Sequence, residues 1–221
     1  MRWLARQTTG CVVVIGWQAA EIAAQLLQYS GDNLPHYVIQ PTVSSQTTVS
    51  SIQYVQADLN QADAVSRVFS QLAKRGHHPQ LVVFQAEPSL SDQFNGFSAD
   101  QLEQRWQQTG LSLFLWAQAA ITALQHPAKQ RQSASLIVLG SDLALRPEVS
   151  LAVDSALYVG MRALLQSLAR EFQPQGIHVA YVGLPVASDT NPTALATLCW
   201  QLHQQPASAW THEVQFSSIT A

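Results

Sequence analysis

Short runs of β-branched and aliphatic residues alternate along this chain with longer stretches of helical period. That alternation confines it to a parallel sheet covered by helices on both faces. The strand candidates are Cys11–Ile15, His36–Gln40, Ile52–Gln56, Gln80–Phe84, Ala134–Gly140, Ile177–Val182 and Val214–Ser217. Helical patterns separate them at Ala19–Tyr29, Gln61–Arg75, Ala99–Gln125, Leu151–Phe172 and Pro192–Gln204. Ser98 or Asp100 can cap the third helix, and Pro192 suits the first turn of the last. The polar stretch His126–Ser133, carrying Pro127, reads as the turn that ends the third helix. Pro41–Ser51 reads as a solvated loop, and His77 and His78 as part of a turn before Pro79. At 221 residues with 47% apolar content, the chain fits one domain, 1–221, with a sizeable core.

Charge narrows the partners. Charged residues make up only 11% of the chain, against about 25% in ordinary soluble domains. The 28 glutamines fill much of that gap without forming a tract. The net charge is −3, and no Lys or Arg cluster exists to neutralise a row of phosphates, so nucleic acid is not an expected partner. Cys11 and Cys199 lie far from any Cys or His at metal-ligand spacing and read as buried thiols of a reducing cytosol. No apolar run approaches the roughly 18 residues that span a bilayer, so the expected location is cytoplasmic and no membrane is involved.

The segment from Ser133 to Pro185 carries a more specific signal. A strand ends in Ser141, a long helix follows, and the chain then reads Ser167-Leu168-Ala169-Arg170-Glu171 and Gly176-Ile177-His178-Val179. This resembles the second half of a short-chain dehydrogenase/reductase, and Trp200 to Pro206 with Trp210 to Glu213 extends the likeness over nearly the whole chain. The resemblance implies an α/β, Rossmann-like, doubly wound parallel sheet of about seven strands. It also implies a chemistry in which a tyrosine hydroxyl protonates a carbonyl oxygen while a nicotinamide delivers hydride. A lysine four residues on lowers that tyrosine's pKa, and a serine holds the substrate oxygen. Counting from Ser141 and back from Ser167, the tyrosine station falls on Asp154 and the lysine station on Tyr158. An ionised Asp154 opposes the developing alkoxide. Tyr158 and Arg162 repeat the four-residue spacing, so a shifted Tyr-x-x-x-Arg pair is one reading. A polar ridge of Asp154, Tyr158 and Arg162 along one helix face is the other.

The same resemblance locates the nucleotide stations. Of a Gly-x-x-x-Gly-x-Gly loop only Gly16 remains, with Ala20 and Ile22 at the other two glycines and Glu21 beside them. Ile39-Gln40-Pro41 offers neither an acid for ribose hydroxyls nor a base for a 2′-phosphate. Gln85-Ala86-Glu87 stands where the family carries Asn-Ala-Gly, and Thr109 where a helix asparagine supports the proton relay. Asp58 matches an acid that faces the adenine amino group, and it reads equally as a helix cap. Only Gly183 to Asn191 connects the sixth strand to the next helix, too little for a substrate lid. Metal is not expected from the dispersed histidines.

These departures lead to a degenerate family member, a pseudoenzyme with impaired or lost oxidoreductase activity and no cofactor expected, NAD or NADP if any. It would act as a homodimeric interaction protein. The alternative is an NAD(P)-dependent oxidoreductase rearranged around Ser141, Tyr158 and Arg162, with Gly16, Asp58 and Gln85 toward the cofactor. A third is a nucleotide sensor without turnover. The dimer contact is expected from the helices near 99–125 and 151–172. Ala152, Ala156, Gly160 and Ala163 form a face of small residues there. Leu113, Trp116, Ala117, Ala120 and Leu124 are expected to supply the other half, while Leu157, Met161, Leu164, Leu168 and Phe172 face the sheet.

Overall fold

A computed structural model of the protein describes residues 9–30, 34–42, 49–88, 94–186 and 190–217. The aliphatic runs become strands β1 (Thr9–Gly16), β2 (His36–Gln40), β3 (Ile52–Gln56), β4 (His77–Gln85), β5 (Ser135–Ser141), β6 (His178–Leu184) and β7 (Glu213–Gln215). All seven pair in parallel in the order β3-β2-β1-β4-β5-β6-β7. The helices are α1 (Ala19–Ser30), α2 (Ala62–Lys74), α3 (Ala99–Trp106), α4 (Ser112–Lys129), α5 (Ala152–Phe172) and α6 (Pro192–His203).

The central strands are buried on both faces, which is why they read as continuous apolar runs. Val13 and Ile15 belong to the core shared with α2, α4 and α5. Val12 and Val14 belong to the core shared with α1 and α6. The sheet order reverses between β1 and β4, and a crevice opens there at the carboxyl ends of the strands.

Three expectations change at the level of elements, and the choice between two caps is decided. The helix expected over Ala99–Gln125 is interrupted by a π-turn at Gln107–Leu111 between α3 and α4. Ser98, not Asp100, caps α3, in a full capping box with Gln101. Pro127 does not end α4. It lies in the last turn, and the helix runs on to Lys129. His77 and His78 are in β4 and pair with Thr9 and Gly10, because a bulge between Cys11 and Val12 shifts the register past Pro79, which has no N–H to give. The expected loop Pro41–Ser51 falls partly outside the described residues.

Candidate functional site

The crevice has two compartments that share Trp17, Gln18, Gln85 and Ala86. The smaller, about 290 Å³, is walled by Leu139, Gly140 and Ser141 from β5, by Leu184 to Val186 after β6, and by Tyr158. The larger, about 560 Å³, lies toward β2 and β3 and includes Glu21, Gln40, Asp58, Asn60 and Glu87.

Gly16 closes β1 at φ +99°, where a Cβ would sit 2.1 Å from the Gln85 carbonyl oxygen. The same oxygen accepts the Trp17 N–H at 3.2 Å. Close approach of β1 to β4 therefore requires this glycine whether or not a phosphate lies above it. Ala20 and Ile22, at the two lost glycine stations, are buried beneath α1 and line neither compartment. Trp17, Gln18 and Glu21 occupy the loop side. Gln18, in a left-handed conformation at φ 49°, carries its amide across the crevice. Its Oε1 accepts from Gln85 Nε2 at 3.4 Å and from the Thr190 hydroxyl at 3.2 Å.

Asp154 does not face the smaller compartment as a free charge. It is 2% exposed and receives a two-pronged guanidinium from Arg105 of α3, Nε to Oδ1 at 2.7 Å and Nη2 to Oδ2 at 3.0 Å. Burial works against the Arg105 charge, but the hydrogen bonds and field of Asp154, with Tyr158 and Glu87 nearby, raise its pKa above the ordinary value. The expected negative charge at the tyrosine station is thus cancelled, and Arg105 is the residue that the sequence reading missed. A buried carboxylate demands a cation or a set of donors, and that demand was the available signal.

Arg105 Nη2 also donates to the Pro88 carbonyl at 3.0 Å, and the Tyr158 hydroxyl donates to the Glu87 carbonyl at 2.8 Å. Together α3 and α5 latch the segment after β4. Arg162 turns elsewhere: its Nε donates to Glu213 Oε1 of β7 at 2.9 Å and its Nη2 lies 2.9 Å from Oε2. Partial burial tends to raise the Glu213 pKa, yet Arg162 and Gln166 hold it below its usual value. The guanidinium is therefore spent on β7, and the structure does not pair it with Tyr158. Asp154, Tyr158 and Arg162 follow one another at four-residue spacing along α5, and each takes a partner outside that helix.

Ser141 ends β5 with its Oγ accepting the Leu143 N–H at 3.2 Å, so it caps a 3-10 turn while lining the smaller compartment. Its backbone is clamped by Tyr181, whose hydroxyl donates to the Ser141 carbonyl at 2.6 Å and accepts its N–H at 3.0 Å. Thr109 is fully buried in the π-turn and its hydroxyl has no hydrogen-bond partner. Asp58 lines the larger compartment. It is not the cap of α2: that position is Gln61, and Asp58 Oδ1 accepts the Asn60 N–H at 2.9 Å in a local turn. Among the described residues no group of three or more His, Cys, Asp or Glu is arranged to hold a metal.

A seven-stranded, doubly wound parallel sheet with a crevice at its switch point defines a Rossmann-type protein. The model of the family described as short chain dehydrogenase matches residues 9–205. The chain belongs to that family. Its fold is similar to a short-chain dehydrogenase from Rhodopseudomonas palustris, at 22% identity over 95% of this chain and 98% of that one, with a TM-score of 0.79. It is likewise similar to 3-ketoacyl-(acyl-carrier-protein) reductase from Brucella melitensis complexed with NADH, at 16% identity, 96% and 97% coverage and TM-score 0.80. A short-chain dehydrogenase from Leptospira borgpetersenii with bound NAD+ gives 16% identity, 97% and 94% coverage and TM-score 0.78. Among curated proteins none matches the sequence.

Proposed function

We propose that this family member has exchanged the proton relay for a structural latch, so that oxidoreductase turnover is impaired or lost and a dinucleotide binds weakly or not at all. The observation that carries this reading is the Arg105–Asp154 fork at the tyrosine station, with Tyr158 donating to the Glu87 carbonyl at the lysine station. Neither residue then offers a proton and a neighbouring ammonium to a bound ketone. The Gln18 amide lying across the crevice supports weak cofactor binding.

The rearranged oxidoreductase is the second reading, favoured by Ser141 and Tyr158 lining one cavity. It would use NAD or NADP, as the NADH-complexed Brucella reductase suggests. It now lacks Arg162 as a partner for Tyr158. We favour a homodimeric role in protein interaction. On α5 the residues Ala152, Ala156, Gly160 and Ala163 face outward, and Phe114 of α4 is 48% exposed beside a groove of about 260 Å³. The cytoplasm is the proposed location, in keeping with the buried thiols Cys11 and Cys199. No helix among the described residues is long and apolar enough to cross a membrane.

Titration with NADH and NADPH, followed by quenching of tryptophan emission, tests the reading, since Trp17 lines both compartments. The expected result is no saturation. Saturable binding with activity lost in Tyr158→Phe but kept in Asp154→Asn would establish the second reading.

A further inference from the structure

Three described residues other than glycine hold a positive φ: Gln18, Arg131 and Ser150. Arg131 and Ser150 are exposed turn residues, whereas Gln18 stands in the crevice. A left-handed backbone is costly for a residue with a Cβ and persists where its surroundings over-determine it.

At Gln18 the over-determining feature is a bridge. Its Oε1 accepts from two donors on two other elements, Gln85 Nε2 at the end of β4 and the Thr190 hydroxyl ahead of α6. The β4 anchor is fixed in the sheet: Gln85 is 5% exposed, pairs with Gly16 on one side and Leu139 on the other, and its carbonyl accepts the Trp17 N–H. One amide oxygen thus ties the loop after β1 to the neighbouring strand and to the segment that follows β6.

The bridge stands where the crevice divides. Gln18 and Gln85 line both compartments, while Ser141 and Thr190 line the smaller and Gln40 and Asp58 the larger. A ligand confined to one compartment need not disturb it. An extended ligand with an end in each has to displace the Gln18 amide, which strips Gln85 Nε2, on a buried side chain, of its acceptor.

We infer that Gln18 is an autoinhibitory gate, its hydrogen-bonded amide holding the crevice divided and so excluding ligands long enough to span it, a dinucleotide among them. The inference rests on the reading that a dinucleotide binds weakly or not at all, and it names the contact responsible. Ala20 and Ile22 line neither compartment, so loss of the bridge joins the two.

Calorimetric titration of the full chain with NADH, beside Gln18→Gly, Gln18→Met and Thr190→Val, tests it. Glycine suits the left-handed backbone and removes the amide, while methionine keeps the bulk without the carbonyl oxygen. The parent should stay unsaturated at millimolar NADH. All three variants should saturate, with half-saturation at least about tenfold below the highest concentration that leaves the parent unsaturated. Binding in Gln18→Gly alone would reduce the side chain to a steric plug and overturn the bridge. Failure of parent and variants alike to bind would overturn the gate and leave the latch reading standing. Saturable binding by the parent would remove the reading beneath it, and the gate with it.

Discussion

At the scale of single residues, the Arg105–Asp154 pair decides how the site is read. Both partners are almost wholly buried, so removing one leaves an uncompensated charge, which costs roughly 3–5 kcal/mol. Asp154→Ala and Arg105→Ala should each lower stability by about that much in urea unfolding. The Arg105→Met/Asp154→Leu double variant should lose far less than the sum. Simple additivity would contradict a coupled latch. Counting from two flanks puts Asp154 at the tyrosine station but gives no sign of its partner. Arg105 lies 49 residues away, and only the packing of α3 against α5 brings it there. Spacing misled in the opposite sense at Tyr158 and Arg162, because a four-residue interval places two side chains on one face without fixing which way a long guanidinium turns. Glu213, on a strand that arrives 51 residues later, settles that.

At the scale of elements, the strands were legible because both faces of the central ones are buried and their sequence is uninterrupted aliphatic. Their ends were not, since β4 begins with His77-His78-Pro79, which local rules read as a turn. The π-turn that holds Thr109 was also hidden, because one extra residue in a helical repeat leaves the apolar periodicity nearly intact. Two histidines in different elements set a pH dependence. Burial lowers the pKa of His36 in β2 and of His203 at the end of α6, each to about 4. In the unfolded chain both titrate near 6.5, as free histidine does. Above that pH both are neutral in either state and stability is independent of them. As pH falls below it, the unfolded chain takes protons that the fold refuses until about pH 4. Each histidine should therefore cost about 2 kcal/mol by pH 5. Urea midpoints between pH 7 and 5 should fall, and His36→Asn or His203→Asn should flatten the slope. A slope unchanged in both variants would contradict the assignment.

At the scale of the whole molecule, topology was the most legible property, since alternation of strand and helix leaves few ways to arrange a parallel sheet. The outward surface was read only in part. Ala152, Ala156, Gly160 and Ala163 are exposed as expected, but Leu113, Trp116, Ala117, Ala120 and Leu124 are spent on the chain's own core and cannot supply the other half of a contact. Likewise only Leu157 and Met161 of the expected stripe are fully buried, joined by Leu165 and Ala169, while Leu164, Leu168 and Phe172 line the groove toward α4. Amphipathic periodicity finds an apolar stripe but does not say which edge of it the sheet covers. A Cβ at Gly160 meets nothing within 4 Å, so Gly160→Trp should leave the fold intact and convert the proposed dimer to a monomer in sedimentation velocity. An unchanged dimer would move the contact elsewhere. The central claim, that inherited architecture persists where the relay has become structure, is tested most directly by a crystal soaked in millimolar NADH. We expect the Gln85–Gln18–Thr190 bridge intact and no cofactor in the crevice. An ordered pyrophosphate over Trp17 to Ile22, with the nicotinamide beside Tyr158, would contradict it.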